Sequence, residues 1–380
     1  MAGRSDDEML AWTYLARVAE PPSAAVAVLV AELGAVEAAG AIRNRSVPKG
    51  HEDALTATEA RAGADCAAQD LEAAAKVGAR LILPDDEEWP GWPLLALGRA
   101  ATGPRDGEPL ALWVRGPHRL DEVAAESVAV VGARAASSYG ESVTARLSGE
   151  LCDRGWAVIS GGAFGIDGAA HRASLLSGGC TTAVLACGID RAYPTAHSRL
   201  LSEIAERGLL VSEYPPGTTA AKHRFITRNR LVAALSEGVV VVEAGKRSGA
   251  ANTAAWGRRL GRPVGAFPGP VTSATSVGCH RLITDDLAQL VFNTDTVVSM
   301  LRPDGGGDPG RGADRDTDLL SEDQRLVHDA IPGRGVATVD EIAYAAGLGV
   351  PVVRSALAAM EIAGVVCGDG GGWRLTHARG

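Results

Sequence analysis

From Ser127 to about Val291 the chain alternates short apolar runs with helical stretches, a new apolar run beginning about every 25 to 30 residues. The runs fall at Val128–Val131, Ala157–Ser160, Thr182–Leu185, Leu209–Ser212, Val239–Val242 and Val264–Phe267. The helical stretches lie between them, at roughly Glu141–Asp153, Ile166–Leu176, Ala196–Glu206, Phe225–Ser236 and Ala251–Leu260. Parallel neighbours need a long crossover, usually a helix, so this alternation builds βαβ units. The expectation is an α/β fold, a doubly wound and mainly parallel sheet with helices on its faces. Such sheets bind ligands outside the carboxyl ends of their strands, which directs attention to the loops after the apolar runs.

At 380 residues the chain is longer than one such domain needs. Residues 1–75 are Ala-rich and helical in period, with Pro21, Pro22 and Ser23 starting one helix and a helical run at about Glu52–Lys76. Residues 76–302 hold the α/β domain, entered through a loop-rich stretch and a short strand at Leu112–Val114. Residues 303–316 lack any apolar anchor and read as a linker. Residues 317–380 read as three helices and a hairpin, the order of a winged helix. The longest apolar stretch, Ala24–Ala41, is interrupted by Glu32 and Glu37, and the N-terminus opens on acids, so neither a membrane span nor a signal peptide is expected. Six cysteines without a CxxC pair give no disulfide framework and no metal site, which points to reduced thiols in the cytoplasm.

The net charge of -9 is uneven. Residues 1–75 carry six Lys/Arg against twelve Asp/Glu, and 317–380 carry five against eight, whereas Lys222 to Arg262 holds nine cations against Glu237 and Glu243. A cationic segment in an acidic protein either faces solvent or focuses a field on a polyanion.

Three loops carry candidate chemistry. In GARAASSYG, Gly132 permits a tight turn, and Arg134 with Ser137 and Ser138 precedes a helix whose free amides favour an anion. In SGGAFGID, Ser160, Gly161 and Gly162 stand between strand and helix as a second phosphate-loop candidate. Neither is a dinucleotide fingerprint or a Walker A loop. In KHRFITRNR, four cations surround Phe225. Cations following a backbone and a ring facing a base suit a single strand of nucleic acid; alternatively Phe225 belongs to the core with Leu231, Val232 and Leu235. Asp167, Asp190, Glu213 and Glu243 lie near strand ends without assembling a catalytic set, and His171 and His197 read as surface or capping residues.

The ordered motifs GARAASSYG, SGGAFGIDGAAH, ACGIDRAYP, SEYPPG, FITRNR with LVAALSEGVVVVEAGKRSGAANTA, and FPGPV closely resemble the DNA-processing protein A family (DprA, also called Smf) over about residues 80–300. The resemblance implies an extended Rossmann-like domain, flanked by a SAM-like helical region and a winged helix. It further implies a homodimer that binds single-stranded DNA and helps load the RecA recombinase, with no cofactor and no catalysis. Carried over by motif, Gly132 and Arg134 would hold a phosphate, and Lys222, Arg224, Phe225, Arg228 and Arg230 would lie in or beside the pocket. Asn229 would order the loop. The chain departs from the family pattern at Ala133, where Ser is common, at Ala220 and Ala221, where a Pro is common, and at His280, which replaces an Asn.

A second function class is a phosphoribohydrolase-like nucleotide enzyme, because VVEAGKRSGAANTAAWG is similar to a PGGxGTxxE signature. Ser248 and Gly249 replace the double glycine and remain phosphate-loop candidates, but no Glu follows Thr253 before Trp256. The acid that would stabilise an oxocarbenium-like centre is absent.

Overall fold

The computed structural model describes residues 5–103, 106–246, 248–303, 320–333, 335–362, 364–369 and 371–376. Apart from Pro303, the stretch read as a linker lies outside them. Residues up to 306 form one compact unit and residues from 307 a second.

The chain opens with five helices: α1 (Asp6–Val18), α2 (Ala24–Leu33), α3 (Ala35–Arg43), α4 (Glu52–Thr58) and α5 (Ala67–Lys76). Ser5 caps α1 by accepting the Glu8 amide. The run expected at Glu52–Lys76 is two helices, separated by a segment containing Gly63, whose low helix propensity weakens a continuous helix. Then follow β1 (Ala79–Ile82), α6 (Gly91–Arg99), β2 (Leu112–Arg115), α7 (Leu120–Ala125), β3 (Ser127–Val131), α8 (Ser138–Asp153), β4 (Ala157–Ser160), α9 (Ile166–Leu176) and β5 (Thr181–Leu185). A 3-10 turn at Thr195–His197 leads into α10 (Ser198–Arg207), β6 (Leu209–Ser212), α11 (Lys222–Ala234), β7 (Gly238–Val241), α12 (Gly249–Arg259), β8 (Val264–Ala266), α13 (Val277–Thr284), β9 (Gln289–Leu290) and α14 (Thr294–Leu301).

One nine-stranded sheet has the order β1-β2-β6-β5-β4-β3-β7-β8-β9. The β1–β2 and β2–β6 pairs are antiparallel; the others are parallel. From β3 the chain winds outward to β6, then crosses through α11 to β7 on the other side of β3. The strand order therefore reverses between β3 and β7, where a crevice opens at the carboxyl edge.

Both faces of the sheet are covered over β3 to β8, which is why these strands are buried throughout and mainly apolar. Val128 and Val130 of β3 point to a core with Leu147 of α8 and Ile166 of α9, while Ala129 and Val131 point to one with Leu231 of α11 and Trp256 of α12. The N-terminal helices share a core with the sheet: Tyr14, Leu15 and Leu29 pack with Trp113, Leu185 and Leu210.

The second unit contains α15 (Glu322–Ala330), α16 (Val339–Ala346), α17 (Val350–Ile362), β10 (Val366–Asp369) and β11 (Gly372–Leu375). Ala337 adds a bridge to Trp373. Three helices and a ribbon around Val327, Leu357 and Met360 form the winged helix read from the sequence. No single helix among the described residues is long and apolar enough to cross a membrane.

Candidate nucleic-acid interface

The segment KHRFITRNR is helix instead of loop. Ala221 holds extended backbone, its carbonyl accepts the amides of Arg224 and Phe225, and no Gly or Pro interrupts the chain from Lys222 to Ala234. A helix sorts the cations by face. Lys222, Phe225, Ile226 and Asn229 stand at i, i+3, i+4 and i+7, one stripe, and all four line the switch-point crevice. That cavity has a volume of about 610 Å³. Gly132, Ala133 and Arg134 after β3, Gly161 and Ala163 after β4, and Gly245, Ser248 and Gly249 after β7 complete much of its wall.

Lys222 and Arg134 are exposed, and neither forms an ion pair among the described residues. Phe225 is half-buried and belongs to none of the hydrophobic cores, so its ring is a wall of the crevice. The Arg134 guanidinium lies 5.2 Å from its centroid, and Tyr193 approaches with centroids 5.2 Å apart and a 45° tilt. Tyr193 and Ile226 are 46% and 59% exposed, giving the rim an apolar surface beside its charges. The sequence reading missed Tyr193 as a site residue; an aromatic between Arg191 and a proline after a strand was its only signal.

Arg228 is buried in the crevice floor, where it donates to the carbonyls of Gly161, at 2.5 Å, and Val184. Asp167 accepts the amides of Gly161 (3.2 Å) and Ala163 (3.4 Å). Burial raises the Asp167 carboxyl above the usual range, opposed by Arg228 and those amides. Asn229 ties α11 to α12 through the Gly249 carbonyl and Asn252.

Several expected site residues lie elsewhere. Arg230 is fully buried, donating to both Glu213 oxygens at 2.8 and 2.6 Å and to the Gly107 carbonyl, outside the crevice wall. Arg224 projects from another face of α11 and grips Glu20 with two bonds of 2.8 and 3.0 Å. Ser160 spends its hydroxyl on the Val130 carbonyl, while the Gly162 carbonyl faces His197. With Gly161 and Ala163 amides turned to Asp167, this loop holds its own anion. The helix start after the first loop does likewise: Glu243 accepts the amide and hydroxyl of Ser137, which caps α8. The α12 start is different, since Ser248 caps it and Gly249 and Ala250 face the crevice. His171, read as a surface or capping residue, is wholly buried against Thr181 at 2.7 Å, and burial lowers its pKa to about 3.

Glu20 collects Arg224, Arg61 and His223. Burial pushes its carboxyl up, but these donors outweigh burial and hold it at about 2. A depressed carboxylate stabilises the fold fully above its unfolded value near 4.5 and loses that contribution as pH falls through about 2. Glu20→Gln should therefore melt below the parent at neutral pH, and the gap should shrink between pH 4.5 and 2 in melts at stepped pH. A gap independent of pH would contradict this.

The fold is thus of the doubly wound, Rossmann-like class, with a switch-point crevice presenting free cations and aromatic faces. A family model described as DNA recombination-mediator protein A matches residues 80–302, and one described as DprA winged helix domain matches residues 311–372; the chain belongs to the DprA/Smf family. It is 53% identical over 379 residues to a chain described as DNA processing protein DprA in Mycobacterium tuberculosis, covering 98% of this chain and 96% of that one. It is 36% identical over 282 residues to Protein Smf of Escherichia coli, covering 71% and 74%. The X-ray structure of DprA from Streptococcus pneumoniae superposes with a TM-score of 0.61 at 28% identity, over 78% of this chain and 98% of that one. DNA processing protein A from Helicobacter pylori, solved for its single-stranded DNA binding mode, gives a TM-score of 0.50 at 27% identity, over 60% and 96%.

Proposed function

We propose that the crevice binds single-stranded DNA, and that the protein helps pass the strand to the RecA recombinase as a cytoplasmic homodimer without catalysis of its own. The observation that carries the DNA reading is the stripe of Lys222, Phe225 and Ile226 beside Arg134 and Tyr193. It combines unpaired cations with faces on which bases stack. The family's description as a recombination mediator and the DNA-binding relative from Helicobacter pylori support it. The carboxylates near the crevice, Asp167 and Glu243, are buried and committed to internal donors, which favours a binding role over hydrolysis.

Titrating single-stranded and duplex DNA of equal length at several salt concentrations tests the reading. Lys222→Ala or Arg134→Ala should weaken single-strand binding for every sequence and flatten the salt slope by roughly 0.7 log units per lost phosphate contact. Phe225→Ala should lose about 1–3 kcal/mol of binding with little change in slope. Its melting temperature should hold, because the ring lies outside the cores. Equal affinity for duplex, or turnover of nucleoside monophosphates, would overturn the proposal.

A further inference from the structure

A second concave site lies at the opposite edge of the sheet. Gly261 and Arg262 precede β8, which runs parallel with β7 and β3, so the cavity beside them opens at the amino edge, away from the crevice. Its volume is about 340 Å³, and Trp92, Leu95, Arg99, Arg259, Leu260 and Arg262 contribute to its wall. The cationic segment noted in the sequence thus divides between the two edges.

Three features distinguish this site from a solvated basic face. Trp92, at the start of α6, is 75% exposed, so a large flat ring stands in water. Arg99, seven residues on and on the same helical face, lies 5.6 Å from the indole centroid and forms no ion pair among the described residues. Arg262 is half-buried, its Nε has no hydrogen-bond partner among the described residues, and its guanidinium makes only a long bond of 3.5 Å, to the Ala234 carbonyl. Glu237, which acts on Arg262 from nearby, is shared with Arg302. Arg259 plays another part. It stacks on Trp256 at 4.1 Å and is neutralised by Asp106 at 2.8 Å, forming the floor.

A partly desolvated guanidinium whose carboxylate neighbour is already shared with Arg302 favours a phosphate, and an exposed indole beside a free cation favours an aromatic face. We propose that this site takes one nucleotide unit of a single-stranded DNA, its base on Trp92 and its phosphate between Arg99 and Arg262. The inference rests on the preceding reading only in naming DNA as the polymer. A strand held in the crevice and extended past the sheet edge meets this second contact, which adds affinity through effective concentration without altering the first site.

Photo-crosslinking distinguishes the two sites. The full chain is irradiated with iododeoxyuridine-substituted oligothymidylates, one short enough to fill only the crevice and one long enough to reach both edges, and crosslinked peptides are mapped. The long strand is expected to label the Trp92 peptide as well as the Phe225 peptide. Trp92→Ala and Arg99→Glu, both surface changes, should each weaken the long strand about tenfold and leave the short one unaffected. Labelling at Phe225 alone, with unchanged long-strand affinity in both variants, overturns this inference and leaves the crevice reading intact. Labelling at neither position overturns both. Protection of Trp92 by thymidine monophosphate without any strand crosslink there would make it a free-nucleotide site and overturn the proposal, as would loss of self-association by Trp92→Ala with DNA affinity retained.

Discussion

Arg230→Ala should lower the melting temperature on the order of 10 °C while leaving the DNA affinity of the folded protein near that of the parent. Arg230 is 0% exposed and its partner Glu213 3%, so the substitution strands a carboxylate in the core with no cation and removes a donor from the Gly107 carbonyl. Breaking such a pair from one side costs about 3–5 kcal/mol, whereas replacing both partners by apolar groups can be neutral. The double variant Glu213→Leu with Arg230→Met should therefore recover much of the loss in a thermal melt. A single variant that melts like the parent but no longer binds a strand would return Arg230 to the DNA site, where its place in a basic motif first suggested it belonged.

That misplacement shows where sequence reading ends. The strands and the crossover helices were legible because a sheet covered on both faces needs unbroken apolar runs such as Val128–Val131, and those stand out against polar helical stretches. Two strands, β1 and β9, escaped because neither is an unbroken apolar run: β1 has Arg80 in its middle and is only half buried, and β9 is two exposed residues, one of them Gln289. In the site, residue type was legible and direction was not. Lys222, Arg224, Arg228 and Arg230 look alike in a basic run, yet successive helical residues turn by about 100°, sending them to the crevice, to Glu20, to the crevice floor and to the core. The anions that consume these charges come from far along the chain, with Glu20 lying 204 positions before Arg224. The first two loops were read as phosphate loops for the same reason: that Asp167 and Glu243 take the amides there is a fact of tertiary packing, whereas Ser248 and Gly249 do line the crevice.

The largest local effect is expected at Gly165, where the backbone angles and the neighbours both exclude a side chain. Gly165 (φ +75°, ψ −127°) and Gly178 (φ +73°) both hold a positive φ. A side chain costs about 1–3 kcal/mol at either position from backbone strain alone. At Gly178 nothing lies within 4 Å of an added Cβ, so Gly178→Ala should cost no more than this. At Gly165 the Cβ falls 2.2 Å from the Ala133 carbonyl oxygen and 2.6 Å from that of Arg134. Both are backbone atoms, and neither can swing aside as a flexible side chain does. The Ala133 carbonyl also accepts the Ile166 amide, so moving it breaks the hydrogen bond that joins the first loop to the start of α9. Gly165→Ala should thus destabilise the protein well beyond Gly178→Ala. It should also weaken single-strand binding in whatever remains folded, because Arg134 rides on the displaced loop. Comparing melting temperature and salt-dependent affinity for the two variants separates the contributions: equal melts would rule out the close approach, and a destabilised Gly165→Ala protein with full affinity would remove Arg134 from the DNA site.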